Sequence, residues 1–412
     1  RKEMTKILAL FTCFILLFWH TNVFGQNLPS LLYGKNINST FSIVAYDQTS
    51  EEWGIAAATD NIYVGNSTIY IEPGVGAFSV IAETEPLYAI EGLKQLKSGE
   101  SINEVIENIR LNDEASHYRQ VGGLDATGKP YAFTGETLKY WNGRAGHIIG
   151  KNYLVMGNQL AEGVLRDMAM TFESSEGTLA QRLLESLVSG QHAGGQLSGK
   201  QSAALVVKGI NNEWFNQVDL RVDHSKEPIN DLNNLLNYHY GRIRLNQALF
   251  AINVGNKELG TKRLTMAQSM LKGWYGMYGK LAYAYSMVKN DDKAISIIKE
   301  ALREKNGWKV NLPAFYYLKS NPKFKNEIDT KSFSPKDWQN ALMMLSNLKR
   351  FNEAIDLAGE VLKKKREHSY SYFILGQVYE QLDKAIKAQE NYAVAYELDC
   401  DNIEAMKKLK NE

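Results

Sequence analysis

The spacing of hydrophobic positions changes character once along the chain, near Ile229. Ahead of that point the apolar residues come in short β-type runs. Thr40 to Tyr46 and Gly54 to Thr59 flank the polar, turn-forming stretch Asp47 to Glu52 and predict a hairpin. Neither run alternates cleanly between apolar and polar residues, which predicts a sheet covered on both faces. The small side chains of Ala56, Ala57 and Ala58 predict a close neighbouring layer. Val75 to Ala82 reads as a third strand, and Tyr118 to Leu124 with Tyr131 to Thr134 flank the turn Asp125 to Lys129 as a second hairpin. Helical spacing occupies Leu87 to Leu96, Ile102 to Arg110, Gly163 to Phe172 and Leu179 to Val188, before strands return at Ala203 to Lys208 and Val218 to Val222. This order predicts an α+β domain over 40–225, its sheets covered by helices.

Beyond Ile229 the pattern is helical, and it repeats. Trp338 and Tyr372 lie 34 residues apart, and the same offset places Ala354 over Ala388. The later copy supplies Leu375, Gly376, Tyr379, Tyr392 and Ala395 where a tetratricopeptide repeat requires them, and an earlier copy fits Tyr278, Leu281, Ala282, Tyr285, Ala294 and Ala301. Small residues at those positions let paired helices approach, while aromatic and leucine side chains fill the gaps between repeats. Asn306 to Ser334, with Pro313 and Pro322, breaks the period. The expectation is a helical region with a degenerate repeat over 226–333 and tetratricopeptide-like repeats over 334–412, together offering a surface to a protein partner. The basic run Lys363 to Arg366 falls at a predicted helix end, where the helix dipole accounts for it without a ligand.

A basic start at Lys6, the apolar run Ile7 to Trp19 and the spacing of Val23 and Gly25 have the form of a secretory signal peptide over 1–25. They predict an exported protein, periplasmic or extracellular, with 26–39 as an extension or propeptide. The apolar run is shorter than the roughly 18 residues of a membrane span, and no later segment reaches that length. Removal of the signal takes Cys13 with it and leaves Cys400, so no intramolecular disulfide is expected. The formal net charge of +1, from 47 Lys and Arg against 46 Asp and Glu, gives no electrostatic reason to expect a nucleic acid partner.

Two further chemistries are set aside by spacing. Gly194 to Gln201 approaches a phosphate-binding loop, but Gln201 stands where a hydroxyl residue should follow Lys200, and the order is helix, loop, strand rather than strand, loop, helix. His117, His147, His192, His224 and His239 do not pair at metal-ligand spacing, and there is no cysteine cluster, so neither a metal nor another cofactor is expected.

TFSIVA from Thr40, PGVGA from Pro73, YRQV from Tyr118, Gly157 with Asn158, GQHAGG from Gly190, GKQSAAL from Gly199 and DLRVD from Asp219 follow one another in a specific order. This order resembles the bacterial family numbered 1028 among the domains of unknown function, over about 185 residues. That family is grouped with the N-terminal nucleophile hydrolases, so the resemblance implies a four-layer αββα sandwich. It also implies hydrolysis of an amide-type bond in a small amide or peptide substrate. In that superfamily the nucleophile is the first residue of the mature chain, and its own α-amine, with a pKa of roughly 7.7 to 8.0, acts as general base.

Thr40 opens the first strand and occupies the matching position. The chain departs from many relatives in carrying residues 26–39 ahead of it, so the mechanism requires a cut between Ser39 and Thr40. Asp60, at the end of the second strand, matches loosely the acid of proteasome-type members or serves as a turn residue. Asn158 is an oxyanion donor or a helix cap, and Lys200 and Ser202 lead into a strand that could direct them toward the cleft. Arg221 and Asp223 are expected to pair structurally, and Gln196 stands where the family usually has an acidic residue. The alternative reading is a catalytically silent sandwich that serves as an envelope binding or scaffold module.

Overall fold

A computed structural model of the chain describes residues 39–212 and 217–410. Residues 1–38, where the signal peptide and all of the extension but Ser39 are expected, lie outside the described residues. The chain divides into two compact units between Leu236 and Asn237.

The first unit contains two antiparallel sheets. The larger is built from β1 (Thr40–Asp47), β2 (Glu52–Thr59), β7 (Arg144–Gly150), β8 (Tyr153–Leu160), β9 (Ser202–Gly209) and β10 (Val218–Val222), in the order β10-β9-β2-β1-β8-β7. The smaller runs β3-β4-β5-β6, from β3 (Ile69–Glu72), β4 (Gly76–Ala82), β5 (Arg119–Asp125) and β6 (Pro130–Thr134). The two sheets face each other. Val44, Ile55, Leu154 and Met156 of the larger pack on Ala77, Ile81 and Leu124 of the smaller. A polar contact crosses the same interface, where Ser79 Oγ donates to Ser42 Oγ at 2.9 Å.

Each outer face carries a helix pair. Phe78, Val80 and Val121 on the small sheet bury against Tyr88, Ile102, Val105 and Ile106 of two helices, Leu87–Lys97 and Ile102–Leu111. The larger sheet is covered by helices Val164–Ser174 and Leu179–His192. The alanine run explains how closely the last helix sits. Alternate residues of β2 turn toward it, and a side chain at Gly54 would meet Leu183 Cδ1 at 2.4 Å. The order is therefore helices, small sheet, large sheet, helices: an αββα sandwich.

Strands β3, β7 and β8 were not expected from the hydrophobic pattern. β8 reads YLVMGNQL and is buried at every position, so no alternation marks it. β7 is a sheet edge with two glycines and an irregular register beside Arg144, and β3 is only four residues long. Arg221 also differs from expectation. It pairs at 2.9 Å with Asp219, two residues back on the same face of its own strand, and not with Asp223, which lies beyond the end of that strand.

The second unit is a stack of helix pairs: Tyr278–Met287 with Asp291–Glu304, Pro335–Asn347 with Phe351–Lys364, and Ser369–Gln381 with Ala385–Leu398, followed by Ile403–Lys410. Ala282, Ala294, Ala301, Ala354, Ala388 and Ala395 are buried where paired helices meet. The segment that breaks the period forms a 3₁₀ helix, Asn306–Ser320, and it still contributes Trp308, Phe315 and Leu318 to the common core. Among the described residues no helix is long and apolar enough to cross a membrane.

Gly376 shows how tight the repeat contact is. A Cβ there would lie 2.5 Å from the ring of Tyr392, which is itself fully buried and held by a 2.7 Å hydrogen bond to Glu380. We expect Gly376→Ala to lower stability by about 1–3 kcal/mol through overpacking, measured by urea unfolding. An unchanged midpoint would contradict this account of the repeat.

Candidate active site

The register of the larger sheet assembles the site. Thr40 stands opposite Thr59 on one side and Asn158 on the other, and Thr59 stands opposite Ser202. Directly opposed residues of antiparallel strands project to the same face. Ser202, Thr59, Thr40 and Asn158 therefore form one polar row across four strands, on the face turned to the smaller sheet, and all four are buried.

A buried polar row must satisfy its own hydrogen bonds. Thr59 Oγ1 donates to the Ser39 carbonyl at 2.8 Å and accepts from Asn61 N at 3.4 Å. With its single proton committed, it can only accept from Thr40 Oγ1, which lies 3.1 Å away. The Ser39 carbonyl accepts a second hydrogen bond from Asp60 N at 3.2 Å. Ser39 Oγ is anchored on the carbonyls of Asn158 and Gln159, at 3.1 and 3.3 Å.

On the other side of Thr40, Asn158 Nδ2 donates to Gln120 Oε1 of β5 at 3.2 Å. Gln120 Nε2 in turn meets Gly157 O, Gly146 O and Thr134 Oγ1 at 2.9–3.1 Å, and Thr134 Oγ1 meets His147 Nδ1 at 2.8 Å. Asn158 Oδ1 is buried without a hydrogen-bond partner. The next residue, Gln159, has a φ of 52°, a left-handed conformation disfavoured for a residue with a side chain. Such strain persists only where the surroundings fix it.

The remaining expected residues divide. Asp60 adjoins the site through its backbone, while its carboxylate accepts a hydrogen bond from Ser198 Oγ of the glycine-rich loop. Burial pushes the Asp60 carboxyl above the usual aspartate range, opposed by the hydrogen bond from Ser198. Ser202 belongs to the row, but its hydroxyl donates to Asn61 O at 2.6 Å and accepts from Val64 N at 3.1 Å, which ties down the turn after β2. Lys200 is engaged elsewhere, with both carboxylate oxygens of Glu227 at 2.6 Å. Gln196 is buried with neither side-chain polar atom partnered. Among the described residues no cluster of three or more His, Cys, Asp or Glu could hold a metal ion.

Thr59, Gln120 and Ser198 were not singled out from the sequence. Thr59 was within reach, because a hairpin joining 40–46 to 54–59 through a short turn sets it opposite Thr40. Gln120 lies within the quoted YRQV motif, but only the pairing of the two sheets brings it to Asn158. No local signal marks Ser198.

These features define the class: an αββα sandwich followed by a tetratricopeptide-like helical unit. Residues 40–232 match the model of a family of unknown function, DUF1028. A Silicibacter pomeroyi protein described by the same family model is 29% identical, over 48% of this chain and 84% of its own, with a TM-score of 0.44. PilF of Pseudomonas aeruginosa is 17% identical over 42% of this chain and 66% of its own, with a TM-score of 0.20. The TPR domain of P58(IPK) is 14% identical over 42% of this chain and 54% of its own, also with a TM-score of 0.20. Among curated proteins, none matches the sequence at a significant level.

The Asp60 environment carries a pH signature. Because the native pKa is raised, the folded state binds this proton more tightly than the unfolded chain, whose aspartate titrates near about 3.9. The contribution of Asp60 to stability is therefore most favourable below that pH and declines as pH rises through the native value. The stability of wild type minus that of Asp60→Asn, followed by urea unfolding from acid to neutral pH, is expected to fall across this window. A difference that rises with pH would refute the assignment.

Proposed function

We propose that the chain is an exported hydrolase of amide-type bonds whose nucleophile is the Thr40 hydroxyl. The carrying observation is the position of Thr40 at the head of an interior strand of the larger sheet, flanked in register by Thr59 and Asn158. Once Thr40 is the first residue, its α-amine lies one carbon from the hydroxyl-bearing carbon and takes the hydroxyl proton as Oγ attacks the substrate carbonyl. A carboxamide has two N–H donors, and Gln120 occupies one of those on Asn158. The second serves the oxyanion that forms on the substrate. The unpartnered Oδ1 accepts from the charged amine between turnovers. The helical unit holds a protein partner by the stacked surfaces of its repeats.

The test begins the chain at Met followed by Thr40, so that Met removal exposes the amine without any other cut. An epoxyketone probe, which closes a ring on adjacent amine and hydroxyl, is expected to add its mass to the Thr40 peptide, and Thr40→Ala to abolish labelling. Asn158→Ala should slow labelling about 10²- to 10³-fold, the usual effect of losing one oxyanion donor. Absence of labelling on Thr40, or labelling that survives Thr40→Ala, would favour a binding module.

A further inference from the structure

The bond ahead of Thr40 is held in a specific arrangement. The Ser39 carbonyl oxygen receives two donors, Thr59 Oγ1 at 2.8 Å and Asp60 N at 3.2 Å. Thr40 Oγ1, the hydroxyl next in sequence to that carbonyl, donates to the same Thr59 oxygen at 3.1 Å. The proton of Thr40 thus points to Thr59, and the proton of Thr59 points to the carbonyl that Thr40 would have to attack. Ser39 is fully buried, and its hydroxyl is fixed on two carbonyls of the β8 end.

From this geometry we infer that Thr59 relays the proton in a self-cleavage of the Ser39–Thr40 peptide bond. Thr40 Oγ attacks the Ser39 carbonyl carbon and closes a five-membered ring. As it does so, the Thr40 hydroxyl proton passes to Thr59 Oγ1, and the Thr59 proton passes to the carbonyl oxygen. The tetrahedral intermediate is neutral, and Asp60 N–H stabilises the oxygen while charge develops there. Collapse breaks the bond between the Ser39 carbon and the Thr40 nitrogen, and the nitrogen takes the proton of the intermediate's hydroxyl. The products are an ester joining the Ser39 acyl group to Thr40 Oγ and a free Thr40 amine. Water then hydrolyses the ester to a Ser39 carboxylate and restores the Thr40 hydroxyl. The inference rests on the reading of Thr40 as the nucleophile and adds the residue that prepares it.

Thr59→Val keeps the shape of the side chain and removes the relay, whereas Thr59→Ser retains the hydroxyl. The full chain is purified and followed by intact mass and N-terminal sequencing. We expect wild type and Thr59→Ser to yield chains starting at Thr40, and Thr59→Val to do so at least about 100-fold more slowly with an unchanged near-ultraviolet circular dichroism spectrum. Hydroxylamine should intercept the ester in wild type and release a fragment ending in Ser39 hydroxamate. This arm tests the ester route on which the relay depends, even where Thr59→Val does not fold. Cleavage of folded Thr59→Val at the wild-type rate, a wild-type bond that stays intact, or cleavage in hydroxylamine without the hydroxamate would overturn the inference. The Met-Thr40 chain separates the two readings. Probe labelling there with no cleavage of the full chain removes only the relay, and cleavage with no labelling removes only the hydrolase.

Discussion

The first unit depends on the register of one hairpin. Asp47 holds the turn through its carboxylate, which accepts from the backbone of Thr49 and Ser50, and from that turn the pairing of β1 with β2 follows without a bulge to Thr40 and Thr59. A slip of one residue would move every side chain of β1 to the opposite face. Thr40 and Ser42 would turn to the apolar helices, where Phe41 now packs beside Gly190. Hydrophobic burial of Phe41 and Ile43 on one side and Val44 on the other thus fixes the position of the hydroxyl, and the polar row is maintained by apolar packing.

The position of Thr40 was legible in the sequence because its strand is sequence-local: a turn, two β-rich runs and a threonine at the first position. The covering helices were legible for a similar reason, since each has one apolar face and two of them carry capping boxes, at Ser101 with Glu104 and Thr178 with Gln181. β8 was not, because a strand buried on both faces has no period of two. Without β8, Asn158 reads as either an oxyanion donor or a helix cap, while in the fold it is the cross-strand neighbour of Thr40. Gln120 was missed for a different reason. It acts from the second sheet, and the pairing of two sheets leaves no periodic trace in either.

The helical unit follows the opposite rule. Its contacts run between consecutive helices, so an offset of one repeat length reveals nearly all of them. Gly376 beneath Tyr392 is the clearest example: a missing side chain in one helix makes room for the ring of the next. The 3₁₀ segment broke the repeat in the sequence but not in the core, because Trp308 and Phe315 substitute bulk for periodicity. Tyr317 OH donates to Ser286 Oγ at 2.6 Å and pins that segment to the repeat before it.

The polar row also has an order of assembly. Thr40 and Thr59 come together by closing a short turn, but the Ser39 hydroxyl reaches its acceptor on Asn158 across 119 residues, and Val64 reaches Ser202 across 138. Contacts of that separation carry a larger loop-closure entropy and form after local ones. A chain emerging from synthesis can thus carry Thr40 and Thr59 in place while the strand bearing Asn158 and the loop bearing Ser198 are still unmade. The groups around the Ser39 carbonyl are sequence-local, but the proposed oxyanion donor Asn158 reaches Thr40 only in the finished sandwich, so topology alone withholds the proposed hydrolysis from the nascent chain.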